Sequence, residues 1–263
     1  MNAPSAIRVG EAGLPALVFL HGVGGDGGTF SAQLDAFADT HTCLAWHMPG
    51  YANSATIDPY DWDGLAAALI ALLDAHHLDS ATLVGHSIGG MVAQHAVALA
   101  PERVESLVLS ATSPAFGNRD GDFQQQFLNA RLGPLDAGET LASLAPGIVD
   151  NLLGQNPVTT ARDAAIAAMA AVPEASYRAA MTAITVFDAR ASLPRIACPT
   201  LLIAGSDDTN APAAMMARMA DKIPGAEYAC LDGLGHLSYM ERPDLFNTTL
   251  RTFLDARTGM TPP

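Results

Sequence analysis

A mostly parallel α/β sheet, covered by helices on both faces and interrupted once by an all-helical insertion, is the architecture this sequence predicts. Three observations carry it. Short apolar runs of strand character alternate with helical patterns over residues 1–112; Ala-, Leu- and Met-rich helical patterns alone fill 113–191; and the alternation resumes over 192–263. Strands that are apolar throughout, rather than at every second position, are those of a parallel sheet buried on both faces. The expected organisation is therefore a core in two parts, 1–112 and 192–263, with a helical segment at 113–191 between them.

In chain order, the first strand is read at "ALVFLHG" from Ala16, followed by a helix over Ser31 to Phe37 and a strand at "TCLAWH" from Thr42. A helix over Trp62 to His76, a strand at "ATLVGHS" from Ala81, a helix over Ile88 to Leu99 and a strand at "VESLVLSAT" from Val104 complete the first part. Four amphipathic helices are expected at 120–132, 140–153, 159–171 and 174–187. The second part has strands at "PTLLIAG" from Pro199 and "EYACLDG" from Glu227, with helices over Ala213 to Ile223 and Pro243 to Ala256.

The 263 residues are 49% hydrophobic, enough for a sizeable core, and 13 Lys and Arg against 27 Asp and Glu give a net charge of −14. That balance excludes the phosphate grip on which nucleic-acid binding depends. The start, "MNAPSAIRVGEAG", has no basic segment leading an apolar core, and "LAAALIALL" is far too short to span a bilayer, so a cytoplasmic protein with no membrane partner is expected. Cys43, Cys198 and Cys230 lie scattered in apolar, strand-like stretches and are expected to be buried reduced thiols. The eight histidines show no metal-ligand spacing, and neither a metal nor another cofactor is implied.

In parallel sheets reactive groups gather where strands end. "GHSIG", Gly85 to Gly89, matches the G-x-S-x-G strand-to-helix turn that lifts a serine hydroxyl clear of the sheet. Asp207 and Asp208 follow "LLIAG", Asp232 ends the next strand, and His236 follows in "GLGHLSYMERP", a stretch that reads as a flexible, exposed loop. A serine hydroxyl needs a histidine to take its proton, and that histidine needs an acid to fix its tautomer. The order serine, acid, histidine fits a hydrolase on such a sheet, and the residue pattern alone leaves the acid open between the aspartates.

"FLHGVGGD", "MPGYANS", "GHSIGGMVAQ", "PTLLIAGSDD" and "GLGHLSYMERPDLFN" resemble successive signature segments of the α/β-hydrolase family. The resemblance implies a triad of Ser87, Asp208 and His236, since the family acid lies three residues after the glycine that ends its strand, here Gly205. It further implies an oxyanion hole made by the Val23 and Ile88 N–H groups, each able to lower a barrier by about 3 kcal/mol, and a cap formed by the insertion. His21, Gly22 and His86 flank those positions and are candidate substrate contacts. The chain departs from the family at His47 and Ala52, where Asp and Gly are usual. Gly22, Gly24 and Gly27 also match the dinucleotide fingerprint G-x-G-x-x-G, but His47 stands where the ribose-binding acid would be needed.

Ser87 in place of an aspartate nucleophile separates the chain from haloalkane dehalogenases and epoxide hydrolases. Its second part is similar to 3-oxoadipate enol-lactonases and their esterase relatives, which implies cleavage of a small-molecule ester or lactone through an acyl-enzyme. The alternatives are a carbon–carbon bond hydrolase of the meta-cleavage-product type and a slow-turnover ligand receptor. A carboxylate-bearing substrate would need a cation, for which the insertion and its end offer Arg119, Arg131, Arg162, Arg178 and Arg190. Arg131, in the apolar-flanked "FLNARLGPL", is the expected one.

Overall fold

The computed structural model describes residues 3–117, 122–155 and 158–258. Seven strands form one sheet: β1 (Ala6–Val9), β2 (Ala16–Leu20), β3 (Thr42–Trp46), β4 (Ala81–His86), β5 (Val104–Ser110), β6 (Thr200–Gly205) and β7 (Glu227–Leu231). Their spatial order is β1-β3-β2-β4-β5-β6-β7, with β1 antiparallel to β3 and every other pair parallel. Every residue of β2, β3, β4 and β6 is buried, as their unbroken Val, Leu, Ile, Phe and Ala runs require of strands covered on both sides.

The covering helices of the core are α1 (Ser31–Phe37), α2 (Trp62–Ala75), α3 (Ile88–Leu99), α8 (Ala213–Ala220), a short α9 (Ser238–Glu241) and α10 (Pro243–Thr258). Asp61 starts α2 by accepting the Gly64 N–H at 2.8 Å, and Leu65, Leu69, Leu72 and Leu73 then put one apolar face on the sheet. Because β2 lies between β3 and β4, successive crossovers run in opposite directions along the sheet. The crevice at such a reversal, beyond the carboxyl ends of β2 and β4, is where an open parallel sheet leaves room for a ligand.

Between β5 and β6 come α4 (Phe123–Asp136), α5 (Leu141–Asp150), α6 (Thr159–Ala170) and α7 (Glu174–Ile184), with no strand among the described residues of this stretch. All four were expected, although α4 runs four residues further than the pattern suggested, carrying Pro134 in its last turn; its expected start at 120 lies outside the described residues. Among the described residues no helix is long and apolar enough to cross a membrane.

Two expectations are corrected. The sheet has an antiparallel edge strand, β1, which carries no strand signal in the sequence because "AIRV" is only four residues long and includes the exposed Arg8. The cysteines are not uniformly buried: Cys43 is buried in β3, its thiol pushed up to about 12 by that burial, while Cys198 is half-buried and Cys230 exposed. Cys230 lies on β7, the opposite edge strand, whose residues are exposed or half-buried.

Candidate active site

Ser87 sits between β4 and α3 with φ 53° and ψ −119°, a left-handed backbone that a non-glycine residue adopts only when its surroundings impose it. The imposing contacts are visible. Ser87 N–H donates to Ser110 O at 3.0 Å, and Ser87 O accepts from the Thr112 hydroxyl at 2.7 Å and from Gly90 N–H at 2.9 Å. Gly89 lets the first turn of α3 press on β2, since a Cβ there would stand 2.1 Å from Leu20 O. Ile88 opens α3, so its N–H has no acceptor within the helix.

Asp208 and His236, which the family resemblance pairs, lie in contact. His236 Nδ1 lies 2.8 Å from Asp208 Oδ2, with Asp208 4% and His236 7% exposed. Burial would raise the Asp208 carboxyl; the hydrogen bond and charge of His236, with the Ala211 and Asn210 N–H groups, more than reverse this and hold it below the usual carboxylate range. An ionised Asp208 only accepts, so Nδ1 of His236 carries the shared proton, which puts the lone pair of the neutral tautomer on Nε2. Asp207 turns the other way, bonding Ser206 Oγ and Gln155 N–H at an exposed site, and Asp232 is exposed. The expectation of a flexible, exposed loop at His236 is corrected: its N–H donates to Leu152 O at 2.6 Å, and α9 begins two residues later.

Two further histidines shape the site from beneath. His21 takes the Met48 N–H on Nε2 at 3.0 Å, so its ring proton is on Nδ1, donated to Gly22 O at 2.8 Å. Burial, opposed by the Gly22 bond, brings it down to about 4. With both nitrogens committed to main chain and no place on the cavity wall, His21 holds the Gly22 turn, which corrects its expected role as a substrate contact. His86 Nε2 donates to His236 O at 2.9 Å, and burial, with the neighbouring His236, takes its pKa to about 3. Its Nδ1 edge packs where a Cβ on Gly22 would stand at 2.7 Å, so the turn bearing Val23 seats on His86. His47 accepts the Gly27 N–H at 3.2 Å and does not line the cavity.

Gly22, Val23, His86, Ser87 and His236 of the core line a cavity of about 330 Å³ with Phe127, Arg131, Met169, Tyr177 and other residues of the insertion. The wall is mainly apolar, and Arg131 is its one cation among the described residues. Arg162 pairs with Asp150 at 2.6 Å, Arg178 with Asp136 at 2.7 Å and Arg190 with Asp188 at 2.6 Å, while Arg119 lies outside the described residues. Arg131 has no carboxylate partner among the described residues; its guanidinium stands 5.6 Å from the Phe127 ring and opposes the rise that burial imposes on the Tyr177 phenol. Tyr177 and the buried Glu241 were not singled out in the sequence, where a tyrosine and a glutamate among helical residues carry no signal of burial. No cluster of potential metal ligands occurs among the described residues.

Residues 17–249 match the model of the alpha/beta hydrolase family, and the chain belongs to that family. Over 257 residues it is 31% identical to the candidate carbamate hydrolase RutD of Pseudomonas savastanoi pv. phaseolicola, covering 95% of this chain and 98% of the relative. It is 27% identical to 3-oxoadipate enol-lactonase 2 of Acinetobacter baylyi, covering 90% and 88%. A solved hydrolase from Pseudomonas aeruginosa superposes with a TM-score of 0.84 at 29% identity, covering 95% and 93%. One curated relative is much longer, and the chain spans 12% of it.

Proposed function

We propose that this hydrolase cleaves a carboxylic ester or lactone through an acyl-enzyme on Ser87. The observation that carries the reading is that His236, held by the buried Asp208 at 2.8 Å, lines the same cavity as Ser87, a serine on a strained strand-to-helix turn. His236 Nε2 takes the hydroxyl proton as Ser87 Oγ bonds to the substrate carbonyl carbon; the imidazolium then returns that proton to the leaving oxygen as the C–O bond breaks. Water, deprotonated by the same nitrogen, attacks the acyl carbon, and as the C–Oγ bond breaks the imidazolium gives that proton to Ser87 Oγ, releasing the acid, free Ser87 and neutral His236. The Val23 and Ile88 N–H groups, without protein acceptors among the described residues, face the charge of the tetrahedral intermediate. In a lactone the leaving oxygen stays tethered to the acyl product.

Arg131 narrows the substrate to one with a free carboxylate. A guanidinium in an apolar wall is compensated by an anion, and a bidentate carboxylate fits its fork. The test compares a carboxylate-bearing lactone or ester with its methyl ester on wild type and on Arg131→Ala. The reading expects KM for the charged substrate to rise about 10–100-fold with the neutral one unaffected. Equal response of both substrates removes the carboxylate, and stoichiometric retention of an unhydrolysed lactone removes the hydrolase in favour of a receptor.

A further inference from the structure

Glu241, the last residue of α9, is 3% exposed, five residues beyond His236, and takes no part in the chemistry described above. Its carboxylate bridges two chain segments. Oε2 accepts the N–H of Gly154, in the insertion just after α5, at 2.8 Å, and Oε1 accepts the N–H of Gly235, next to His236, at 3.0 Å. The same two segments touch directly: His236 N–H donates to Leu152 O at 2.6 Å, and Cβ atoms on Gly154 and Gly235 would stand 2.2 Å from Gly233 O and 2.4 Å from Leu152 O. Main chain of the insertion thus lies against main chain of the loop that carries the histidine. The carboxylate gives each N–H an oxygen of its own, whereas an amide of the same shape presents one oxygen and one donor.

We propose that Glu241 is a positioning residue that locks the insertion to the His236 loop, so that His236 is in register with Ser87 only while residues 152–154 are seated. The proposal rests on the reading of His236 as the base for Ser87. It makes the insertion part of the catalytic geometry as well as a cavity wall: displacement of the 152–154 segment slackens the loop through Gly235 and the His236 main chain at once. Glu241 acts through that loop and touches no reacting atom.

The test is the second-order rate at which a fluorophosphonate labels Ser87 in the 263-residue chain, read with the melting temperature and the downfield proton resonance of the His236 Nδ1–H. Glu241→Gln has the same shape but opposes a donor to one of the two N–H groups. It is expected to label at least tenfold more slowly and to broaden or shift the Nδ1 resonance, while staying folded. Gly154→Ala, at a half-buried position, keeps the Glu241 carboxylate but sets a methyl 2.2 Å from Gly233 O, forcing the insertion off the His236 loop, and serves should Glu241→Gln not fold; it is expected to slow labelling likewise. Asp207→Asn, which alters the exposed contacts to Ser206 Oγ and Gln155 N–H and leaves both Glu241 hydrogen bonds in place, is expected to label at the wild-type rate. Wild-type labelling and an unchanged resonance in a folded Glu241→Gln or Gly154→Ala protein overturn the proposal. Labelling that persists in Ser87→Ala instead overturns the triad reading beneath it, whatever Glu241 does.

Discussion

Asp208 sends one carboxylate oxygen to His236 and the other to the Asn210 and Ala211 N–H groups at 2.8 and 3.0 Å, so three donors fix its orientation inside the protein. Asp207, one residue earlier, spends its oxygens at the surface. Asp208→Asn is therefore expected to lower kcat by about 10³–10⁴-fold, through loss of the tautomer that leaves Nε2 free, and Asp207→Asn by less than a few-fold; steady-state rates on one aryl ester check both. At this scale the sequence was partly legible. Family spacing from Gly205 selected Asp208, where residue chemistry left Asp207, Asp208 and Asp232 open. It could not say that His21 spends both nitrogens on main chain, because those bonds come from Gly22 and from Met48 on another strand end.

The strand-to-helix turn at Ser87 depends on its neighbours' lack of side chains. Gly89→Ala would push a methyl into the main chain of β2, and overpacking of this kind costs about 1–3 kcal/mol. A fall of several degrees in melting temperature is expected, with activity lost beyond it as Ser87 is displaced. The Val23 turn offers the complementary case. Only its N–H is assigned a task, so Val23→Ala is expected to retain activity within about threefold and Val23→Pro to lose about 10²–10³-fold; comparable kcat values would remove the donor. Elements were the most legible level, since unbroken apolar strands and their alternation with helices fixed the parallel core and Ile88–Leu99 fell where expected. What escaped was set by edges and long-range contacts: β1 exists because it pairs with β3, and the loop at His236 is ordered because Leu152 and Glu241 hold it.

Across the whole molecule, burial leaves an acid sensitivity. His21 and His86 are neutral in the fold, with pKa values of about 4 and about 3, whereas in the unfolded chain they titrate near 6.5. Their folded values are depressed, so the unfolded chain binds more protons as pH falls, and stability is full above about 6.5 and declines towards about 4 for His21 and about 3 for His86. The His21 contribution is on the order of 3 kcal/mol. Melting temperature is expected to drop over that range, with a flatter profile in His86→Gln; an unchanged slope would place the sensitivity elsewhere. The sequence showed that a helical insertion would interrupt the core, but the placing of Arg131 and Tyr177 on the cavity wall depends on how four helices dock. The central claim is that Ser87 is the nucleophile. Its most direct measurement is peptide mapping of the fluorophosphonate adduct in wild type and Ser87→Ala, alongside hydrolysis of an aryl ester. The account predicts a single adduct on Ser87, and in the variant neither adduct nor more than about 10⁻³ of the turnover. An adduct on another residue, or a Ser87→Ala protein that still hydrolyses the ester at a comparable rate, would contradict it.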